Sequence, residues 1–170
     1  MTRRPRRAVP AAAALAAAAA VLAGCGPADG GGRAAARMDG GPARISVTGA
    51  YIPLPPSPSV AAGYLVLHNA GGTADRLLGV TSPAARSVTM HRSTAGSMLP
   101  LDGLDVPAHG TAAFSRGGDH LMITGLDRRP ALGDRVELDL TFARTGTVSV
   151  QVPVEPLTYR PPGAAAGAGG

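Results

Sequence analysis

Short runs in which apolar and polar residues alternate occupy the middle of the chain. In GDRVELDLTF, Val136, Leu138 and Leu140 fall on one face, while Glu137 and Asp139 fall on the other. Alternation with a period of two is typical of strands that bury one face. Glycine and proline turns separate these runs, so the pattern predicts roughly eight short strands.

The middle of the chain shows no helical period, which places the chain in the all-β class. Short strands joined by glycine and proline turns are typical of a β-sandwich or a Greek-key barrel. We therefore expect a single β domain over residues 44–156, which is long enough to bury one core. The segment PLPPSPS, from Pro53 to Ser59, predicts a loop because proline cannot donate to the ladder of a central strand.

The N-terminal segment, residues 1–24, has the pattern of a signal peptide. A charged start, MTRRPRRAVP, precedes an apolar stretch, AAAALAAAAAVLAG, that is too short for a good membrane-spanning helix. The stretch runs into LAGC, which resembles the cleavage box of bacterial lipoproteins and predicts Cys25 as the lipidated first residue of the mature chain. We therefore expect an extracytoplasmic protein held on the outer face of the cell membrane by a lipid on Cys25. An ordinary secretory signal with an incidental cysteine is the alternative.

Segments rich in glycine and alanine flank the predicted domain. Residues 25–43 lack an apolar period and predict a flexible tether, and residues 157–170 predict a disordered tail. The expected organisation is therefore a signal, a tether, one β domain and a tail.

The net charge of +5 arises largely from the N-terminal segment. All 16 basic residues are arginines, and Arg3, Arg4, Arg6 and Arg7 belong to that segment. The other 12 are balanced by 11 acidic residues, so the domain itself is close to neutral. Nucleic acid is not an expected partner, because its recognition needs a clustered basic patch or aromatic stacking platforms.

One predicted strand presents a histidine and a methionine on the face away from the core. In GGDHLMITGL, Leu121 and Ile123 have the core-facing positions, so His120 and Met122 share the opposite face. Two pleat positions of one strand can therefore supply an imidazole and a thioether to the same site.

A second histidine and methionine fall shortly before this strand. In SVTMH, the simplest assignment places Val88 and Met90 in the core and His91 outside. Met98 follows in STAGSML, predicted as a loop that Gly96 leaves free to fold back. If the two strands are neighbours, these side chains can converge with those of the other strand.

Two imidazoles and two thioethers suit a monovalent copper ion. Thioether is a soft, neutral donor that favours Cu(I) over zinc, magnesium or calcium. Methionine also keeps its ligand capacity in an oxidising compartment, where an exposed thiol is lost. Cys25 is the only cysteine, so a blue-copper redox site with a thiolate ligand is not expected. Taken singly, each residue has a plainer interpretation, since methionine is an ordinary core filler and a lone histidine is more often a surface residue.

The residues resemble the motif of the PCuAC family, periplasmic copper chaperones with a cupredoxin-like β-barrel. His91 takes the first position, twenty-one residues separate Met98 from His120, and His120-Leu121-Met122 matches the terminal His-x-Met. Six residues separate His91 from Met98, fewer than in the family, so the intervening hairpin is shorter. If that shortening displaces Met98, Met90 or water would take its place.

The resemblance implies a carrier rather than an enzyme. It implies one Cu(I) per chain, bound by His91, Met98, His120 and Met122. It also implies transfer to a copper acceptor, such as the copper centre of cytochrome c oxidase, directly or through a Sco-type thiol protein. The predicted tail contains no histidine or methionine, so the additional copper site of some relatives is not expected.

The sequence also bears on two other classes of function. The chain has no nucleophile elbow, zinc-protease helix or phosphate-binding loop, which disfavours an enzyme. A metal-free β-sandwich lipoprotein that binds another protein remains the alternative.

Overall fold

The computed structural model describes residues 40–162 of the chain. The predicted signal segment, Cys25 and most of the predicted tether lie outside these residues, as do residues 163–170 of the predicted tail. Within the described range, no helix is long and apolar enough to cross a membrane.

Ten β-strands form the framework of the described part of the chain. They are β1 (Ile45–Pro53), β2 (Val60–Asn69), β3 (Asp75–Thr81), β4 (Ala85–Thr94), β5 (Ser97–Leu101), β6 (Leu104–Val106), β7 (Thr111–Phe114), β8 (Asp119–Leu126), β9 (Arg135–Phe142) and β10 (Gly146–Glu155). Their pairing order is β5-β4-β8-β2-β1-β10-β9-β3-β6, and β7 also pairs with β2. Only β1 and β10 run parallel among these described pairs. The sheet therefore curves into a nearly closed barrel.

The core lies inside this barrel and is built from the alternating apolar positions. In β9, Leu138 and Leu140 are fully buried and Val136 is nearly so, as the sequence pattern predicts. Burying one such side chain contributes about 1.5–3 kcal/mol relative to leaving it exposed. The all-β prediction is confirmed, because every regular element among residues 40–162 is a strand.

The structure contains one strand where a loop was predicted. Met98 lies in β5, which pairs with β4 as a hairpin, and not in a free loop. The turn consists of Ala95 and Gly96 alone, because Thr94 already pairs with Ser97. The Thr94 hydroxyl also donates to the Ser97 carbonyl at 3.2 Å, which holds the turn closed. Local side-chain bonding of this kind favours a tight reversal over an open loop.

The described chain stays packed beyond the predicted domain boundary at residue 156. The Leu157 carbonyl accepts a hydrogen bond from Arg116 Nη2 at 3.0 Å. The Tyr159 ring lies 5.1 Å from the Tyr51 ring in an edge-to-face arrangement. The first residues of the predicted tail, up to residue 162, therefore cover one end of β1.

A buried carboxylate joins β3 to the turn between β9 and β10. Asp75 is 5% exposed and accepts hydrogen bonds from the backbone amides of Arg76, Arg144 and Thr145, at 2.8, 2.9 and 2.9 Å. The Thr145 hydroxyl donates a fourth at 2.6 Å. Burial alone would raise the pKa of Asp75, but these hydrogen bonds outweigh it and hold the pKa below its ordinary value of 3.8.

Replacing Asp75 with Asn is expected to destabilise the fold by about 1–3 kcal/mol, because an amide cannot accept all four hydrogen bonds. The lowered pKa of Asp75 also predicts how the stability of the fold depends on pH. The stabilisation is complete above the unfolded-state pKa and is lost as the pH falls through that value towards the folded-state pKa. Urea denaturation of Asp75→Asn should show a weaker acid-dependent loss than the wild type.

The matched control for this measurement is Asp105→Asn. Asp105 forms an exposed ion pair with Arg76 at 2.7 Å, which should contribute less than about 1 kcal/mol. Equal destabilisation by the two substitutions would contradict the anchoring role of Asp75.

Candidate metal centre

Pairing between β4 and β8 brings the two predicted histidines side by side. His91 pairs directly with His120, and Thr89 pairs with Met122. Residues directly opposite each other on neighbouring strands project to the same face of the sheet. The His91 and His120 rings accordingly stack, with centroids 5.9 Å apart and planes inclined by 24°.

Pairing between β4 and β5 adds Met98 to the same face. Met98 is opposite Ser93, which lies two positions after His91 on β4. Because side chains at alternate positions share a face, the register places Met98 on the face of the two histidines. The tight hairpin therefore keeps Met98 beside the site although the interval from His91 is short.

The opposite face of the same strands carries the core residues that the sequence predicts. Leu121 and Ile123 are fully buried, and Met90 is 6% exposed within the hydrophobic core. Met98, by contrast, is 50% exposed. Met90 therefore lies on the core side of the sheet, away from the four predicted ligands.

His120 is on the predicted face but is not a surface residue. It is only 8% exposed, and it lines a cavity whose other walls come from the segment after β1, Arg116 and Leu157. This cavity is an open cleft of about 420 Å³, and Met98 and Met122 line it together with His120. His91 does not line this cavity and stacks against His120 from β4.

The hydrogen bonds of His120 leave one ring nitrogen for a ligand. Its Nδ1 lies 3.2 Å from the Gly118 carbonyl and 3.5 Å from the Ser93 hydroxyl. A carbonyl can only accept, so Nδ1 carries the proton and donates it. Nε2 then holds the lone pair that a metal ion needs.

His91 has the complementary arrangement. Its Nε2 lies 2.9 Å from the Thr89 hydroxyl, and its Nδ1 is buried without a hydrogen-bond partner. No other buried side-chain nitrogen or oxygen in residues 40–162 is unpartnered in this way. A buried polar atom without a partner is costly, and a bound ion is one of the explanations for it. The donor set therefore fits a metal ion.

The carboxylate that precedes His120 in the chain is already paired. Asp119 accepts two hydrogen bonds from Arg92, from Nε at 2.7 Å and from Nη2 at 2.8 Å. This pairing is the main cause that lowers the pKa of Asp119 below its ordinary value. Across the described residues, no group of three His, Cys, Asp or Glu side chains could hold a metal ion.

Three residues near this centre, Thr89, Ser93 and Arg116, are not among those predicted from the sequence. Thr89 and Ser93 share the face of His91, so strand alternation alone could have identified them. Arg116 comes from the turn between β7 and β8, and no sequence signal connects it to the cavity.

Solved structures place this fold among the PCuAC domains. The copper-bound PCuAC domain from PmoF2 is 24% identical, covers 68% of this chain and 95% of that domain, and has a TM-score of 0.60. The solution structure of CuI-DR1885 from Deinococcus radiodurans is 27% identical, covers 71% of this chain and 83% of that one, and has a TM-score of 0.54. No curated protein matches the chain significantly.

A match to a family model identifies the family to which the chain belongs. The model described as "Putative lipoprotein LpqE-like" matches residues 45–154, which is the strand framework from the start of β1 to the penultimate residue of β10. The chain therefore belongs to the LpqE-like family. The resemblance to PCuAC proteins that the sequence indicates is confirmed.

Proposed function

We propose that this protein is an extracytoplasmic copper chaperone that binds one Cu(I) through His91, Met98, His120 and Met122. The observation that carries the proposal is that the strand register directs all four neutral donors to one face. One of these donors, the buried Nδ1 of His91, has no hydrogen-bond partner and is suited to a bound cation. The likeness to the Cu(I)-loaded structure from Deinococcus radiodurans supports the choice of metal.

The donor chemistry favours the monovalent state. Two thioethers are soft ligands, and four neutral donors leave a bound Cu(I) with its single positive charge. A divalent ion would lack the carboxylate or thiolate that usually offsets its charge, because Asp119 is engaged by Arg92. His91 would coordinate through Nδ1 and His120 through Nε2, since their other nitrogens lie within hydrogen-bonding range of Thr89 and Gly118.

The setting of the centre suits transfer rather than storage. Met98 is half-exposed at the edge strand β5, so one ligand can be displaced without unfolding the barrel. An acceptor's ligand can then enter the coordination sphere as Met98 leaves. We propose a membrane-bound acceptor, such as the copper centre of cytochrome c oxidase or a Sco-type thiol protein. A lipid on Cys25 would hold the carrier on the same membrane surface.

The metal-free lipoprotein is the second candidate. The cavity of about 420 Å³ beside the site favours it, because an apolar cleft can also bind a partner without metal. It predicts that partner binding survives replacement of both His120 and Met122 by Ala.

The full-length protein is expected to bind Cu(I) tightly and at one ion per chain. Competition against a Cu(I) chelator should show a loss of affinity of at least about tenfold for Met122→Leu and for His120→Gln, because each removes one donor. Met98→Leu should lose less if water replaces the exposed thioether.

Two matched variants control for general damage. Met90→Leu changes a buried methionine on the core face, and His68→Gln changes a histidine that bonds Thr48 at 2.8 Å away from the site. Both should bind copper like the wild type. Unchanged binding in Met122→Leu and His120→Gln would disprove the site, whereas weaker binding in Met90→Leu would assign that methionine to the metal.

Thr89 is expected to act as a positioning residue for His91. In Thr89→Val the ring loses its hydrogen bond at Nε2, so Cu(I) affinity should fall by about 10–100-fold with the fold intact. Thr48→Val removes an equivalent bond to His68 and should leave affinity unchanged. Equal affinities for the two valine variants would show that Thr89 does not position the ligand.

A further inference from the structure

The cavity beside the proposed copper site has a single charged group in its lining. Its walls are mostly apolar and come from Pro53–Pro56, Val60–Ala62 and Leu157. Among the described residues that line it, Arg116 is the one with a formal charge when histidine is neutral. Arg116 itself is an exposed residue, so its charge lies on the open side of this cleft.

Arg116 is held in place by neutral groups. Its Nε donates to the Tyr51 hydroxyl at 3.1 Å, and its Nη2 donates to the Leu157 carbonyl at 3.0 Å. Its guanidinium carbon lies 5.7 Å from the Tyr51 ring centroid and 5.6 Å from that of Tyr64. These contacts fix the guanidinium without neutralising it.

Three of the nine other arginines in residues 40–162 have acidic partners. Arg76, Arg92 and Arg128 each form an ion pair with an aspartate, at 2.7 to 2.8 Å. Within residues 40–162, Arg116 forms no such pair, and no acidic residue lines the cavity with it. The cleft therefore presents uncompensated positive charge beside a site for a cation.

This charge weakens the hold on copper and attracts an anion. With four neutral donors, the loaded centre would carry the charge of Cu(I) next to that of Arg116. An incoming anionic group offsets both charges, whereas an incoming neutral ligand offsets neither.

Resting on the proposed function, we propose that Arg116 docks an anionic donor of the copper acceptor, and that this donor is a thiolate. Among anionic side chains, thiolate is the soft ligand that Cu(I) prefers, whereas carboxylate is a hard one. The apolar walls suit a narrow segment that carries one such group. Arg116 is thus a specificity-determining residue for the acceptor.

The transfer step is a ligand exchange without electron transfer. The thiolate sulfur donates a lone pair to form a Cu–S bond, and the Cu–S bond to the exposed Met98 thioether breaks. The remaining donors then leave in turn as further acceptor ligands bind. Copper stays monovalent throughout, and the proton lost by the thiol goes to the buffer.

The test measures the rate of Cu(I) transfer from the full-length protein to three small acceptors. These are 2-mercaptoethanol, which binds as a thiolate, neocuproine, a neutral nitrogen chelator, and bicinchoninate, a nitrogen chelator that carries carboxylates. Arg116→Gln should slow transfer to 2-mercaptoethanol by about tenfold, slow transfer to the anionic bicinchoninate by less than that, and leave transfer to the neutral neocuproine nearly unchanged. Arg116→Lys, which keeps the charge, should restore most of the rate.

The control is Arg135→Gln, which removes an exposed charge on β9 that does not line the cavity. The docking role would be overturned if Arg116→Gln and Arg135→Gln transferred copper to 2-mercaptoethanol at equal rates. It would also be overturned if Arg116→Gln slowed transfer to neocuproine as much as transfer to 2-mercaptoethanol. If Arg116→Gln slowed transfer to bicinchoninate as much as transfer to the thiol, Arg116 would attract anions in general and the assignment of a thiolate would be wrong. If the wild-type protein binds no Cu(I), the proposed function itself is wrong. If it binds Cu(I) but transfers the ion at a rate that does not depend on Arg116, only the docking proposal is wrong.

Discussion

The pairing register of β4 with β8 is the constraint on which the candidate centre depends. It places His91 against His120 and Thr89 against Met122. A slip of one residue would turn the histidine and methionine of β8 into the core and expose its leucine and isoleucine. The hydrophobic effect on the core face therefore maintains the register. The same register brings the histidines and methionines together on the opposite face.

The same constraint explains why a site of this kind tolerates a short hairpin. Cross-strand neighbours are determined by register and not by the number of residues in the turn. Shortening the turn removes residues beyond the pair of Thr94 with Ser97, so Met98 keeps its place opposite Ser93. The sequence could not distinguish this outcome from a displaced loop, because the turn closes through local side-chain bonds.

Local alternation was enough to predict the all-β fold, the core-facing residues of β8 and β9, and the core position of Met90. It could not predict that His120 would be buried beside a cleft, since the other walls of that cleft come from the segment after β1 and from Leu157 beyond β10. It also could not connect Arg116 to the cavity, because that placement depends on how distant turns meet. Periodicity determines the face of a residue, whereas burial depends on which other elements lie over that face.

X-ray absorption at the copper edge of the copper-loaded protein tests the central claim most directly, because it identifies the atoms bonded to the metal. The strand register predicts monovalent copper with two nitrogen and two sulfur neighbours, contributed by the histidines of β4 and β8 and the methionines of β5 and β8. A shell of nitrogen and oxygen alone, with no sulfur, would show that the thioethers do not converge on the ion and would contradict the account.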